Sequence, residues 1–252
     1  MKAVIIGAGR GQRLMPTTAA TPKCFAEVQG VRILDQILRA LRKNGITDIC
    51  FIGGYRIDTV RAAYPELEFR HNSEWATNNI LASLLYAEDL MDEPFICCYS
   101  DILFTGDIVS RLLSSDADLS LVIDTDWLKR YEHRTEHPPD DAEKVTVANG
   151  RITRIHRSID TPDAYGEYIG VAKFSSPGAT AFRRHYHRCR ESHAGRPFRE
   201  AVSFEKAYLI HLFQEMIEAG EVLTAVDTAG GYMEIDTQQD FDLAQKHWRA
   251  DG

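Results

Sequence analysis

Residues 7–14 read GAGRGQRL, and they follow a short apolar run, AVII at residues 3–6, that predicts a first β-strand. Glycines let backbone N–H groups approach anionic oxygens closely, and Arg10, Arg13 and Lys23 add positive charge nearby. A strand that ends in such a loop is typical of a phosphate-binding site. We therefore expect a ligand with a polyphosphate, contacted by the loop residues Gly7, Ala8, Gly9, Arg10 and Gly11.

The spacing of the loop separates it from two related phosphate-binding loops. A dinucleotide fingerprint has glycine at its first, third and sixth positions, but the sixth position here is Gln12. A Walker loop ends in Gly-Lys-Ser/Thr, which this stretch lacks. The remaining alternative to a phosphate site is a glycine-rich turn that closes a βα unit, with its arginines in solvent.

Two stretches resemble a known family. GAGRGQRL followed by TPK at residues 21–23 resembles the signature of the nucleotidyltransferase superfamily. Its members join a nucleoside triphosphate to a phosphorylated partner and release pyrophosphate. Residues 77–84, TNNILASL, resemble the TNN-x-x-x-S-L stretch of phosphocholine cytidylyltransferases and their phosphonate-using relatives. The resemblance implies CTP as donor, Mg²⁺ as cofactor and a small phosphorylated or phosphonate acceptor.

Composition limits the classes of partner. The chain has 252 residues, 44% of them hydrophobic, and a formal net charge of −8. Nucleic acids and membrane surfaces favour basic proteins, so we expect neither as a partner. The sequence begins with a strand signal and has no apolar run near the roughly 18 residues of a membrane span. With five cysteines and no C-x-x-C, we expect reduced core thiols in a cytoplasmic protein. A homodimer is compatible with this composition.

Strand and helix signals alternate in the first hundred residues. Strands are expected at 2–7, 49–53 and 95–99, and helices at 33–44, 56–63 and 77–91. This alternation indicates βαβ units and a parallel sheet.

The second half has a different pattern. We expect strands at 119–123, 168–174 and 222–226, a hairpin of 144–147 and 152–155 turning at Asn149-Gly150, and helices at 177–192, 203–219 and 239–249. The polar residues 125–141 indicate an ordered loop or lid. The expected fold is α/β: a single-domain, three-layer, Rossmann-like nucleotidyltransferase fold with a mixed, mostly parallel central sheet and a small β-hairpin and lid extension. Residues 1–110 would form the nucleotide-binding half of the domain 1–252, and residues 111–252 the acceptor-binding half.

Two aspartates are candidate metal ligands. Asp101 follows the strand 95–99, at the sheet edge where open α/β folds bind ligands, and Asp236 precedes the last helix. Mg²⁺ prefers oxygen ligands and keeps several waters, so two carboxylates suffice. The resemblance assigns Mg²⁺ to this pair. Lys23 and Arg13 are further candidate catalytic residues, because their charge can neutralise a triphosphate. Asp101 taken alone could instead cap a turn.

Further residues are candidates for nucleotide contacts. They are Tyr99 and Ser100 at the end of the strand, with Asn78 and Asn79. A carboxamide both donates and accepts, so either asparagine could contact a pyrimidine or a ribose. The alternative is that Thr77 or Asn78 only caps the helix.

The acceptor is less well defined. Candidate contacts are Lys144, Arg157, Glu167, Tyr168, Lys173 and Glu234. Choline would need an aromatic cage with acidic residues, an aminophosphonate would need carboxylates, and a carboxylated phosphonate would need Arg or Lys. Many relatives have lysine where this chain has Arg157, which changes a point charge into a bidentate fork. Lys173 could also face solvent.

The expected activity is cytidylyl transfer. CMP would pass from CTP to phosphocholine, 2-aminoethylphosphonate or another phosphonate, with Mg²⁺ as cofactor and pyrophosphate as product. The alternatives are a sugar-1-phosphate nucleotidyltransferase and a non-catalytic nucleotide-binding regulator on the same fold.

Overall fold

The apolar run at the N-terminus forms β1 (Lys2–Gly7), whose residues 3–5 are fully buried. The structure is a computed structural model that describes residues 1–14, 17–19, 21–136 and 138–249. The further strands are β2 (Glu27–Val28), β3 (Val31–Arg32), β4 (Ile49–Gly53), β5 (Glu68–His71), β6 (Phe95–Tyr99), β7 (Ile102–Phe104), β8 (Leu119–Asp124), β9 (Lys144–Ala148), β10 (Arg151–Ile155), β11 (Gly166–Phe174), β12 (Thr224–Thr228) and β13 (Tyr232–Glu234). The helices are α1 (Ile33–Lys43), α2 (Ile57–Ala63), α3 (Ile80–Leu84), α4 (Gly106–Leu113), α5 (Leu128–Tyr131), α6 (Ser176–His193), α7 (Leu209–Glu218) and α8 (Gln238–His247).

Nine strands of the described ranges form one mixed sheet in the order β5-β4-β1-β6-β11-β8-β12-β10-β9. The first four strands pair in parallel, and so do β8 and β12. β11 runs antiparallel between β6 and β8, and β10 is antiparallel to both of its neighbours. The parallel pairing that the sequence predicts therefore holds mainly in the first half. Because β11 comes from the second half, both halves share this sheet, and the division near residue 110 stays a prediction.

Alternate residues of β1 face opposite sides of the sheet. Ala3 and Ile5 belong to one apolar cluster, which includes residues of α1 and α4. Val4 and Ile6 belong to the second cluster, which includes residues of α6 and α7. Helices therefore cover both faces of the sheet, as in the three-layer arrangement that the sequence predicts.

Two predicted helices begin later than expected. The helix expected at 77–91 begins at Ile80, where the side chain of Asn79 caps it, and continues as a 3₁₀ segment from Leu85 to Leu90. The helix expected at 203–219 begins at Leu209, because Phe204–Lys206 forms a separate 3₁₀ turn. The short strands β5, β7 and β13 were not predicted, since runs of three or four residues carry little periodicity. The hairpin turn is confirmed, with φ of 51° at Asn149 and 74° at Gly150.

The segment 125–141 is packed against the rest of the chain by two arginines of low exposure. Nη1 of Arg130 lies 3.0 Å from a carboxylate oxygen of the fully buried Asp124. Nε of Arg134 donates to Oδ1 of Asp240 over 2.7 Å. The segment is therefore ordered in its described part, and its role as a lid stays a prediction. Within the described ranges, no helix combines the length and the hydrophobicity that crossing a membrane requires.

Candidate active site

A cleft of about 650 Å³ lies at the carboxyl ends of β1 and β6. Most of its lining residues fall into three groups, which we name the loop end, the charged centre and the acidic end. The predicted nucleotide contacts Tyr99 and Ser100 also line the cleft. The loop end comprises residues 7–12 with Trp75, Ala76, Asn78 and Asn79. The charged centre comprises Arg13, Lys23, Asp101 and Asp236. The acidic end comprises Asp141, Glu143, Arg157, Glu167, Tyr168, Tyr208, Tyr232 and Glu234.

Close packing explains two glycines of the loop. A Cβ atom on Gly7 would lie 2.5 Å from the ring of Phe51 and 2.7 Å from Oγ of Ser100. Gly11 has a φ of 64°, and a Cβ atom there would lie 2.7 Å from Cδ of Lys23. A side chain at either position would displace the loop or Lys23. The loop thus packs tightly against the side chain of Lys23, which lies well beyond it in the sequence.

The charged centre is an ion cluster around Lys23. Its Nζ donates to Oδ2 of Asp101 and to Oδ1 of Asp236, each over 2.7 Å, and Lys23 is only 7% exposed. Arg13 pairs with the other carboxylate oxygen of Asp236. Burial lowers the pKa of Lys23, but the attraction of Asp101 and Asp236 is stronger, so its pKa lies above the ordinary value. Lys23 is therefore a fixed positive charge in the cleft.

A short antiparallel ladder brings the two aspartates together. β13 pairs with β7, with Glu234 opposite Ile102, and the backbone N–H of Ile235 donates to the carbonyl of Asp101 over 2.9 Å. Asp236 then stands next to Thr237, whose side chain caps α8 in a reciprocal capping box with Asp240. Asp236 is 6% exposed and held on both sides. The structure thus brings Asp101 and Asp236 together on the ammonium of Lys23, and their shared role as metal ligands stays a prediction.

The same carboxylates are the donors that a divalent cation would use. Within the described residues, no group of three or more His, Cys, Asp or Glu side chains could hold a metal ion. Mg²⁺ needs only one or two protein carboxylates, because waters and substrate phosphates complete its coordination. Two carboxylates that already flank one ammonium fit that requirement.

The two candidate asparagines have different surroundings at the loop end. Asn79 is the N-cap of α3: its Oδ1 accepts from the backbone N–H of Ile80 over 2.9 Å, and its Nδ2 donates to the carbonyl of Lys206 over 3.1 Å. The cap is therefore Asn79 and not Thr77 or Asn78. Asn78 instead pairs with the carboxamide of Asn72, a fully buried residue. Asn72 was not predicted as a site residue, because a single asparagine after a short strand forms no motif.

Carboxylates with cationic or hydroxyl partners form the acidic end. Glu167 accepts from the guanidinium of Arg130 and, over 2.8 Å, from the hydroxyl of Tyr131. Glu143 accepts from Arg157 and from the hydroxyl of Tyr99, each over 3.3 Å. Burial raises the pKa of Glu143, although Arg157 opposes this shift.

Arg157 stands over an aromatic face. Its guanidinium carbon lies 4.4 Å from the ring centroid of Tyr208. Tyr208 and Glu143 were not predicted as site residues. Glu143 directly precedes the predicted Lys144, and Tyr208 falls where the sequence predicts the interior of a helix.

Two of the predicted acceptor residues are not among the residues that line the cleft. Lys144 and Lys173 do not line the cleft: Nζ of Lys144 donates to the carbonyl of Pro139 over 3.1 Å, and Nζ of Lys173 donates to the carbonyl of Ser115. Both lysines are buried, so Lys173 does not face solvent either. The other predicted acceptor residues, Arg157, Glu167, Tyr168 and Glu234, all line the cleft.

Comparison with known proteins defines the class. Residues 3–138 match the family described as the MobA-like NTP transferase domain. The match covers more than half of the chain, and the chain belongs to this family. The resemblance to nucleotidyltransferases that the sequence indicates is thereby confirmed.

Individual relatives use CTP or UTP. The chain is 29% identical to the CTP:phosphoglutamine cytidylyltransferase of Campylobacter jejuni, over 96% of this chain and 98% of the relative. It is 27% identical to the UTP–glucose-1-phosphate uridylyltransferase AglF of Haloferax volcanii, over 98% of this chain and 96% of the relative. The solved structure of the CTP:phosphocholine cytidylyltransferase from Streptococcus pneumoniae superposes with a TM-score of 0.73 at 20% identity, covering 97% of each chain. This structural likeness confirms the α/β nucleotidyltransferase-like fold.

Proposed function

We propose that the chain transfers CMP from CTP to a phosphate or phosphonate oxygen of a small acceptor and releases pyrophosphate. The observation that carries the proposal is the charged centre, in which Lys23 joins Asp101 and Asp236 beside the glycine-rich loop. A relative that matches nearly the whole chain is a CTP-dependent cytidylyltransferase, which supports CTP as the donor.

The reaction needs charge neutralisation more than proton transfer. An acceptor oxygen attacks the α-phosphorus, the bond from that phosphorus to the bridging oxygen breaks, and pyrophosphate leaves with the electron pair. The attacking oxygen is anionic near neutral pH, so no general base is required. The barrier is the approach of one anion to another, and positioned cations and backbone N–H groups lower it. Lys23, Arg13 and the residues of the loop line the cleft and would supply this charge, and Arg10 lines the loop end.

Asp101 and Asp236 would hold Mg²⁺. When bound, this ion would supply positive charge against the triphosphate. The support is the pair's existing contact with the ammonium of Lys23, since the same carboxylate oxygens that accept from an ammonium can ligate a divalent cation.

The acidic end favours an acceptor with an ammonium group. Among the described lining residues there, the carboxylates are Asp141, Glu143, Glu167 and Glu234, and the cation is Arg157. With Lys144 and Lys173 outside the cleft, a carboxylated phosphonate without an amine would meet four lining carboxylates and one lining guanidinium, while Arg130 and Arg134 neutralise part of the charge of Glu167 and Glu234. Phosphocholine, 2-aminoethylphosphonate and an acceptor derived from an amino acid each carry an ammonium. An amino-acid carboxylate could pair with Arg157, which makes phosphoglutamine a further candidate.

Pyrophosphate release tests the function directly. ATP, CTP, GTP and UTP are each combined with Mg²⁺ and with phosphocholine, 2-aminoethylphosphonate, phosphoglutamine, a carboxylated phosphonate or glucose-1-phosphate. Release with CTP and one ammonium-bearing acceptor is the expected result. Asp101→Asn should abolish it, whereas Asp107→Asn, at an exposed ion pair with Arg111 on α4, should leave it unchanged.

Other outcomes of this assay identify the alternatives. Release with glucose-1-phosphate and UTP would contradict the proposal and favour a sugar nucleotidyltransferase, like the relative from Haloferax volcanii. Binding of CTP without release from any acceptor would favour a non-catalytic nucleotide binder.

A further inference from the structure

Asn72 and Asn78 form a closed pair of carboxamides at the wall of the loop end. Nδ2 of Asn72 donates to Oδ1 of Asn78 over 2.9 Å, and Nδ2 of Asn78 donates to Oδ1 of Asn72 over 3.0 Å. Asn72 is fully buried, whereas Asn78 is half-buried and lines the cleft with Trp75 and Ala8. A hidden side chain is thus joined by two bonds to one that a ligand can reach.

Backbone groups fix which way the hidden carboxamide points. Oδ1 of Asn72 also accepts from the backbone N–H of Glu74 over 3.0 Å, and a backbone N–H can only donate. Nδ2 of Asn72 also donates to Oγ of Ser83 over 2.9 Å, and this hydroxyl uses its own hydrogen on the carbonyl of Asn79. The oxygen and the nitrogen of Asn72 therefore cannot exchange places without losing these bonds.

The orientation of Asn78 follows from that of Asn72. If the carboxamide of Asn78 turned over, its oxygen would face the oxygen of Asn72 and its nitrogen would face the nitrogen. Two partly buried hydrogen bonds would then become two repulsive contacts. Asn78 keeps one N–H and one oxygen lone pair that Asn72 does not use. Because the carboxamide cannot turn over, each of these groups keeps one position.

A fixed donor or acceptor can distinguish the two pyrimidines. Cytosine has an acceptor at N3 and a donor at its 4-amino group, whereas uracil has a donor at N3 and an acceptor at its 4-oxygen. A carboxamide that turns over freely adapts to either base, but one held in a single orientation matches only one of them. We propose that Asn72 is a positioning residue that holds the carboxamide of Asn78 and thereby makes the nucleotide site select cytosine over uracil. The proposal rests on the proposed function for the identity of the nucleotide.

The neighbouring Asn79 does not share this role. Both of its side-chain bonds join parts of the chain, to the N-terminus of α3 and to the carbonyl of Lys206. The two asparagines of the TNN stretch therefore have different roles: Asn78 presents a carboxamide to the ligand, and Asn79 caps a helix.

The test compares CTP with UTP in variants of the hidden residue. Asn72→Leu removes both bonds to Asn78, and Asn72→Ser removes them while leaving room for water to satisfy Glu74 and Ser83. Each variant should lower the ratio of kcat/KM for CTP to that for UTP by about fivefold, because one hydrogen bond of discrimination is worth about 1 kcal/mol. A purely structural role would lower both values equally and leave the ratio unchanged. The ratio of Kd values from calorimetry gives the same comparison without an acceptor.

Two further variants keep the test decisive. Asn78→Ala changes a half-buried residue and removes the presented carboxamide itself, so it should lower the ratio as much as Asn72→Leu. Asn44→Ser is the matched control, because the carboxamide of Asn44 donates to the carbonyls of Ala40 and Gly106, outside the cleft, and the ratio should not change. Normal selectivity in Asn78→Ala overturns the proposal even if both variants of Asn72 fail to fold.

Failure of the proposed function gives a different result. If no acceptor supports pyrophosphate release but CTP binds more tightly than UTP and the Asn72 variants lose that preference, the catalytic proposal is wrong and the positioning role stands. If the wild-type protein transfers CMP but its variants keep the full preference for CTP, the positioning role is wrong and the catalytic proposal stands. A wild-type protein without preference between CTP and UTP also overturns the positioning role.

Discussion

Replacing Lys23 by Met should expose the electrostatic role of the charged centre. Methionine keeps an unbranched side chain beside Gly11 but removes the ammonium that Asp101 and Asp236 share. Two carboxylates are then left close together, and Arg13 remains paired with Asp236. The folded protein should therefore lose stability, and the pair should gain affinity for a divalent cation.

The size of the loss follows from burial. Removing one partner of a buried ion pair costs about 3–5 kcal/mol. The side chain of Asp101 is 30% exposed, so solvent screens part of that repulsion, and Arg13 offsets part of the rest. We expect a loss of about 2–3 kcal/mol. For a chain of this size, this lowers Tm by about 4–12 °C.

Mg²⁺ should reverse most of this loss. A ligand present at about 100 times its Kd stabilises a protein by about 2.7 kcal/mol, which is close to the expected loss. Thermal unfolding of Lys23→Met, measured with EDTA and with Mg²⁺, should show recovery in Mg²⁺. The wild-type protein should gain less, because its ammonium competes with the ion. Pyrophosphate release by the variant should fall by about 10²–10³ even with Mg²⁺.

Two results would refute the reasoning. A variant with the wild-type Tm in EDTA would show that the ammonium does not stabilise the two carboxylates. A destabilised variant that Mg²⁺ leaves unchanged would show that these carboxylates do not form a metal site. Lys129→Met is the control, because Lys129 forms an exposed ion pair with Asp126 and its loss should leave Tm unchanged.

Three further predictions concern the loop, pH and the acceptor. In urea titrations, Gly11→Ala should lower the free energy of unfolding by more than Gly45→Ala does. Both glycines have positive φ, and a residue with a side chain in that conformation costs about 1–2 kcal/mol. Of the two, Gly11 alone has a neighbour within 4 Å of the new methyl group. Burial lowers the pKa of His211 from 6.5 to about 4, so the unfolded chain binds a proton that the folded chain does not. The contribution of His211 to the free energy of unfolding should be complete above about pH 6.5 and should be lost as the pH falls to about 4. In urea titrations, His211→Gln should make the free energy of unfolding depend less on pH in this range. An unchanged pH dependence in the variant would contradict the assignment. Glu143→Gln should raise the KM for the acceptor about tenfold and leave the KM for CTP unchanged in steady-state kinetics, since it removes a carboxylate of the acidic end; equal changes in both would argue against an acceptor role.

Local sequence was sufficient to predict the glycine-rich loop and the position of Asp101 at the edge of the sheet. The glycine-rich loop is a continuous stretch, and strand ends indicate which edge of the sheet carries Asp101. The pairing of Asp101 with Asp236 came from the resemblance, and the structure explains it through the pairing of β7 with β13. These two strands have three residues each, too few to show a period.

The acceptor contacts were harder to predict because they depend on tertiary structure. Lys173 lies on β11, which is buried along its whole length, so polarity does not show which face of the sheet each residue takes. Lys144 begins β9 and turns to a carbonyl of the segment 125–141. Tyr208 precedes α7 and meets Arg157 only through the packing of the folded chain. No spacing in the sequence records such contacts.

The antiparallel position of β11 also has a consequence for the order in which the chain can fold. During synthesis, β6 is complete at residue 99, but its neighbour β11 begins at residue 166. Until then one edge of β6 lacks the partner that it has in the folded sheet, and an unpaired apolar edge is a site of aggregation. The two aspartates of the charged centre come together later still, when β13 closes on β7. A ribosome-bound chain halted before residue 166 would therefore expose this edge to chaperones and lack the assembled charged centre.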